Sequence, residues 1–338
     1  MQDERRSMRW LSDAALDRLR AAADSPDLSG TRYELVDKLG EGGMGGVYRV
    51  ADSELGRQVA LKAIRVVDSS GEFAARLLRE ARFIAELEHP GIVPVHDVGT
   101  LPDGRVFYTM KLVQGRRLDQ YTLEAGGIPE RLRTFQKICE AVSFAHAHNV
   151  LHRDLKPQNI MVGTFGEVLV MDWGLARVLS GEAPVIMDAE KQTAGFQPKA
   201  KPDASSDVPD TAHGVVLGTP GYMAPEQARG DRAAIGLRTD VYALGAVLDF
   251  LLRSGGHRPK ALAAISRKAT AEDMELRYSS VEDLRNDISH YLDGMPVSAY
   301  PEGALTRAWR WAGRNRAWIL LILAYLVMRA VFILWRGR

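Results

Sequence analysis

Asp154, Lys156 and Asn159 fall within six residues of one another in Val150-Leu-His-Arg-Asp-Leu-Lys-Pro-Gln-Asn159, and Asp172 follows 13 residues later. Carboxylates and a carboxamide offer hard oxygens to a divalent cation, and a lysine offers positive charge to a phosphate. A further carboxylate beside a hydroxyl can take its proton. Together these are the residue types that phosphoryl transfer needs, because that reaction is mostly positioning and charge neutralisation. Upstream, Gly40-Glu-Gly-Gly-Met-Gly-Gly-Val47 fits G-x-G-x-x-G-x-V, a spacing that lets backbone approach phosphates and that also serves ordinary turns. It lacks the Gly-Lys-Ser/Thr of a P-loop. It continues into Val47-Tyr-Arg-Val50, a strand pattern, where a dinucleotide fingerprint would open a helix.

The elements that must hold these groups can be read from periodicity. Residues 33–67 are strand-like, with Leu35-Val36 before the glycine turn and Gln58-Val-Ala-Leu-Lys-Ala-Ile-Arg-Val-Val67 after it. Lys62 lies in that last run, 15 residues after Val47. Residues 72–88 read as a helix carrying Glu80, a carboxylate able to hold Lys62; either residue alone could equally be a solvated side chain. Strand-like pieces recur near 92–98 and 106–113. Residues 130–148 and 240–253 are the clearest helices of a mainly helical second half. Residues 8–23 form a short amphipathic pattern ahead of a linker. Residues 178–213 show no periodicity and read as an insert. A small β-rich unit followed by a larger helical one is the expected α+β architecture.

With Asp172-Trp-Gly174 and Ala224-Pro-Glu226 following in order, the sequence resembles the protein kinases, specifically the bacterial serine/threonine kinases of eukaryotic type. The resemblance covers about residues 31–293 and implies a bilobal fold, with a β-rich N-lobe over about 31–113 and a helical C-lobe over about 114–293. It implies ATP and Mg²⁺ as nucleotide and metal, and protein Ser/Thr hydroxyls as acceptors. By position, Gly40, Gly42 and Gly45 would cover the phosphates. Lys62, paired with Glu80, would bind the α- and β-phosphates. Asp154 would receive the substrate proton, and Lys156 would neutralise the γ-phosphate. Asn159 and Asp172 would hold the metal. Val47 and Ala60 would roof the adenine, with Met110 as gatekeeper and Lys111-Leu-Val113 as hinge. Glu226 and Arg277 resemble the pair that ties the activation segment to the helical lobe, and Asp240 resembles the anchor of the catalytic loop.

Three features depart from the family. Trp173 stands where Phe is usual, at a position that packs on the helix carrying Glu80. The 178–213 insert lengthens the activation segment, with Thr211 the first candidate acceptor and Thr193, Ser205 and Ser206 behind it; Thr219 resembles the threonine beside the substrate. The link from 254 to 259 leaves no room for the usual helix G. A pseudokinase scaffold that binds nucleotide without efficient turnover is the alternative. His146, His148 and His152 are close in sequence but belong to the helix end and the catalytic loop. The lone Cys139 is expected in the core and excludes a disulfide framework.

Charge separates the tail from the body. The chain has 338 residues, 44 basic and 43 acidic, for a net charge of +1, which argues against a nucleic-acid binder. Residues 303–338 hold seven arginines and no acid, leaving 1–302 with 37 basic against 43 acidic side chains, a net of −6. The run Trp318-Ile-Leu-Leu-Ile-Leu-Ala-Tyr-Leu-Val-Met-Arg-Ala-Val-Phe-Ile-Leu-Trp335 is interrupted only by Arg329. It is expected to be a transmembrane helix over 317–335, behind a basic juxtamembrane segment at 294–316. No apolar run precedes Trp10, so the kinase-like body is expected on the cytoplasmic side of a bacterial inner membrane. Self-association there would favour phosphorylation in trans.

Overall fold

The computed structural model describes residues 25–42, 45–67, 84–121, 126–173, 221–253, 258–301 and 316–336. Glu80, the 178–213 insert, Thr219 and the 8–23 segment lie outside them, as does all but the end of the 72–88 helix.

An antiparallel five-stranded sheet forms the first lobe, in the order β1-β2-β3-β5-β4. Its strands are β1 (Tyr33–Gly42), β2 (Gly45–Asp52), β3 (Arg57–Val67), β4 (Val95–Thr100) and β5 (Arg105–Lys111). Successive side chains of a strand point to opposite faces. Ala60 and Ile64 of β3 therefore join Val106, Tyr108 and Met110 of β5 in the main core. Val59, Leu61 and Ala63 join Phe107, Tyr33 and Tyr48 in a second core on the other face, with Leu28 packed against it. Both faces of β3 are thus apolar, which explains its near-continuous hydrophobic run. Lys62 falls on the inner face between Ala60 and Ile64, so that face carries one cation.

The second lobe is built on helices. After β6 (Gly115–Arg117) and the short α1 (Leu118–Tyr121) comes α2 (Ile128–Ala147), opened by Pro129 in its first turn. Strand β7 (Ile160–Gly163) pairs with β6 on one side and with β8 (Val168–Val170) on the other, in a small sheet ordered β6-β7-β8. Then follow α3 (Pro225–Ala228), α4 (Leu237–Arg253), α5 (Lys260–Ala269) and α6 (Val281–Leu292). Helix α4 is the hub, with Val241, Leu244, Val247, Leu248 and Leu251 all fully buried. Its spacing of buried positions is helical and places that stripe against α2, α5 and α6. The lobes meet where Gly91-Ile-Val93 lies along β8: the Val170 amide donates to the Gly91 carbonyl at 2.8 Å, and the Val93 amide to the Val170 carbonyl at 3.2 Å.

Helix α7 (Arg316–Arg336) ends the described chain. The expectation of a membrane span is corrected to this extent: among the described residues no helix is long and apolar enough to cross a membrane. Nine side chains of α7, among them those at 320 and 330–334, lie outside the described ones. Of those that are described, Ile319 is half-buried and positions 321–329 are exposed in succession, including Leu321, Ile322, Leu323, Tyr325, Leu326, Val327 and Met328.

Candidate active site

Register in the first sheet fixes one half of the site. Lys62 pairs across the sheet with Val47 of β2 and with Tyr108 of β5. Its Nζ donates to Asp172 Oδ1 at 2.8 Å, and the Tyr108 hydroxyl donates to the same oxygen at 3.2 Å. Burial works against charge on both partners, and in both it is outweighed. Tyr108 and Asp172 hold the Lys62 ammonium above its ordinary range. The Lys62 charge and the two hydrogen bonds hold the Asp172 carboxyl below its own. Tyr108 is pushed up, chiefly by burial. A charged pair is therefore held at the cleft in neutral solution.

The other half is the loop after α2. The Asp240 carboxylate, 1% exposed at the start of α4, accepts the amides of His152 and Arg153 at 2.8 Å each, and His146 Nε2 at 2.8 Å. Burial raises the Asp240 carboxyl, but His146, His152 and these hydrogen bonds bring it below its ordinary value. Arg153 has a φ of 65°, a left-handed conformation that costs a non-glycine residue about 1 kcal/mol. The two amide bonds to Asp240 hold it there. Gln227 of α3 caps the same residue, donating to the Arg153 carbonyl at 2.8 Å.

This anchored loop brings Asp154, Lys156 and Asn159 together. Lys156 Nζ donates to Asp154 Oδ2 at 2.8 Å. Asn159 Nδ2 donates to the Asp154 carbonyl at 2.8 Å and to Asp154 Oδ2 at 3.0 Å. With its amide nitrogen engaged twice, Asn159 presents its oxygen as the free ligand. The Met171 amide donates to the Asn159 carbonyl at 2.8 Å, and His152 Nε2 meets the Met171 carbonyl at 2.8 Å. Asn159 and Asp172 are thereby linked through one residue. Asp172 itself has a φ of 57°. An amide oxygen and a carboxylate are a hard donor set that fits Mg²⁺.

The glycine turn joins β1 to β2. Gly40 pairs with Val47, and Gly42 with Gly45. Gly45 has a φ of 152°, and a Cβ there would lie 1.9 Å from the Ala63 carbonyl oxygen, so β3 passes too close for any side chain. Across the sheet Ala60 pairs with Met110, which is 8% exposed, and Val59 with Lys111. The Lys111 side chain points to solvent, and its amide donates to the Pro94 carbonyl at 3.2 Å. Val113 follows in a segment without regular structure.

Glu80, expected beside Lys62, lies outside the described residues; among the described ones Lys62 pairs with Asp172. Three contributors were not anticipated. Tyr108 reaches both members of that pair. Gln227 supports Arg153. The Trp173 ring, 2% exposed, lies tilted against His152 with ring centroids 4.8 Å apart, and its Nε1 donates to the Val170 carbonyl at 3.0 Å. Sequence had a signal for Tyr108, which sits two residues before Met110 and so shares its face. Phenylalanine could fill most of the Trp173 space but not make its bond. Trp173→Phe should therefore cost about 2 kcal/mol and lower Tm by about 4–8 °C. An unchanged melting curve would contradict that role.

The three histidines have separate partners: Asp240 for His146, the Phe144 carbonyl for His148 and the Met171 carbonyl for His152. Away from the cleft, a cavity of 570 Å³ opens between α4, α5 and Tyr222, lined in part by Tyr242, Phe250 and Asp249. It lies where the chain passes from α4 to α5 with little intervening length.

Comparison with known proteins agrees with this geometry. The protein kinase domain family matches residues 33–259. A protein of Chlamydia felis named serine/threonine-protein kinase PknD is 35% identical over 305 residues, covering 78% of this chain and 31% of its own length. Its namesake from Protochlamydia amoebophila is 36% identical over 307 residues, covering 78% and 30%. The chain thus spans about a third of the length of these relatives. The crystal structure of the Mycobacterium tuberculosis PknI kinase domain superposes with a TM-score of 0.55 at 23% identity, covering 79% of this chain and 98% of that one. The two-lobed fold, the anchored loop and the family match lead to one assignment: the chain belongs to the protein kinase family.

Proposed function

We propose that this chain is a serine/threonine protein kinase that transfers the ATP γ-phosphoryl group to hydroxyls of proteins, its own included. One observation carries the reading: Lys62 and Asp172 meet from the two lobes beside a loop that joins Asp154, Lys156 and Asn159. In this reading Lys62 leaves Asp172 for the α- and β-phosphates, with Glu80 as its second partner. The acceptor hydroxyl attacks the γ-phosphorus, the bond to the β-phosphate oxygen breaks, and ADP leaves. Asp154 receives the hydroxyl proton, and Lys156 offsets charge on the moving phosphoryl group. Asn159 and Asp172 would hold Mg²⁺, which supplies charge neutralisation on the phosphates when bound. Gly40, Gly42 and Gly45 cover the phosphates. Val47 and Ala60 roof the adenine beside Met110, and backbone groups of Lys111 and Val113 read its edge. Lys111 uses its carbonyl for this, since its amide is engaged by Pro94. The domain is taken to run over 31–293.

The order His-Arg-Asp-Leu-Lys favours Ser/Thr over Tyr acceptors, and the relatives' names agree with that preference. Lys62→Met should reduce transfer from γ-labelled ATP to a generic Ser/Thr acceptor protein by about 100-fold or more. Equal transfer by the variant would remove Lys62 from the site.

We also propose that α7 anchors the chain at a membrane. Its apolar side chains between 321 and 328 are exposed around the helix, and a helix apolar on all sides needs a non-aqueous surrounding. Trp318 and Trp335 suit a membrane–water interface, and Arg307, Arg310, Arg314 and Arg316 suit anionic headgroups on the cytoplasmic side.

A further inference from the structure

We infer that Tyr108 is a positioning residue for Asp172, holding that carboxylate in place when Lys62 turns to the nucleotide. This rests on the kinase reading for its consequence but on geometry for its substance. Asp172 Oδ1 receives two donors, Lys62 Nζ at 2.8 Å and the Tyr108 hydroxyl at 3.2 Å. A lysine with two tasks cannot hold the carboxylate and the phosphates equally well at once. Tyr108 has no phosphate to turn to. Its ring is 2% exposed and packed in the main core, and it is the register partner of Lys62 on a central strand. A tyrosine so placed has two torsions fixed by packing, so its hydroxyl is aimed at little entropic cost.

The carboxylate needs such a hold. Asp172 is in the left-handed conformation, with a φ of 57°, where an aspartate gives up about 1 kcal/mol. Trp173 fixes the backbone on one side through Val170, and Met171 fixes it on the other through Asn159. Neither reaches the Asp172 side chain. Lys62 and Tyr108 do, and both bind Oδ1, so they set one carboxylate oxygen and thereby the direction of the other. Among the described residues these two are the donors to that carboxylate, so without the hydroxyl the departure of Lys62 would leave it with no described side-chain donor, and the metal would have to order it again.

The test is Tyr108→Phe in the full chain, which removes one oxygen and keeps the ring. Hydrogen exchange of the Asp172 and Trp173 amides, measured without metal or nucleotide on Lys62→Met with and without Tyr108→Phe, should quicken by about five- to tenfold when the hydroxyl is lost. Amides of Tyr48–Val50 should keep their rates. In phosphoryl transfer the Mg²⁺ concentration for half-maximal rate should rise by a similar factor, while KM for the acceptor protein stays unchanged. Exchange at Asp172 and Trp173 unchanged by loss of the hydroxyl, together with an unshifted Mg²⁺ dependence, would overturn the inference. So would equal quickening at Tyr48–Val50, which would mean general loosening of the lobe. If the wild-type chain transfers no phosphate, the kinase reading fails separately, and the metal-free exchange still decides the place of Tyr108.

Discussion

Asp154→Asn should lower the rate of phosphoryl transfer by about 10²–10⁴-fold with little change in melting temperature. The separation of the two effects follows from the loop. Asp154 Oδ2 accepts from Lys156 Nζ and from Asn159 Nδ2, and an asparagine oxygen can still accept from both. The Asp154 carbonyl bond to Asn159 does not involve the side chain at all. The backbone on either side is held from elsewhere, by Asp240 through His152 and Arg153. An asparagine therefore leaves the loop as it is but cannot take a proton from an incoming hydroxyl. KM for ATP should be unchanged within about twofold, since Asp154 bears on the acceptor and not on the nucleotide. A variant that melts normally and transfers phosphate at the wild-type rate would show that another group accepts the proton.

Arg277→Leu is expected to have the largest effect on stability. Glu226 and Arg277 both have side chains with 0% exposure and meet by two parallel bonds, at 2.8 and 2.9 Å. Thr239 adds a third bond to Glu226 at 2.9 Å. Arg277 also donates to the Ala271, Arg238 and Glu272 carbonyls and lies 5.0 Å from the Tyr242 ring centroid. Removing the cation leaves a buried carboxylate uncompensated, a loss of about 3–5 kcal/mol. Replacing both partners by apolar residues should recover part of that, because the pair carries its own desolvation cost.

The pH dependence of the same pair has a definite sign. Burial raises the Glu226 carboxyl, but the bond and charge of Arg277 and the bond from Thr239 bring it below its ordinary 4.5. A carboxyl depressed on folding contributes stability above its unfolded value and loses it as pH falls through the folded one. The stability gap between wild type and Arg277→Leu should therefore be full at pH 7 and shrink below about pH 4.5. Denaturant midpoints measured at several pH values check this. A gap independent of pH would mean that the two charges do not interact as the distances imply.

How much of this was legible in the sequence depends on range. The short strand-like apolar runs at 58–67 and 106–113 were enough to place β3 and β5, and with them Lys62, Ala60 and Met110. Spacing within the loop was enough to bring Asp154, Lys156 and Asn159 together, since six residues leave few ways to be apart. The helices observed over Ile128–Ala147 and Leu237–Arg253 differ by at most three residues at either end from those read by periodicity. The small sheet was not legible, because strands of three or four residues carry too little pattern. Tyr108 was passed over because a tyrosine in a strand is already explained by packing; only the third dimension shows its hydroxyl meeting a carboxylate 64 residues on. Trp173 was read as a bulkier phenylalanine, whereas its contribution includes a donor that phenylalanine lacks. The pairing of Glu226 with Arg277, 51 residues apart, was reached only through the family resemblance, not from any local pattern.

The central claim is that the residues gathered around Asp172 and Asp154 transfer phosphate to Ser or Thr. The most direct measurement is incorporation of label from γ-labelled ATP with Mg²⁺ into the full chain in detergent, beside Asp154→Asn, with phosphorylated residues mapped by mass spectrometry. Label on serine or threonine in the wild type, reduced by at least about 100-fold in the variant, is the predicted result. Binding of ATP by both proteins with label in neither would contradict it, and would make the chain a nucleotide-binding scaffold built on the kinase fold.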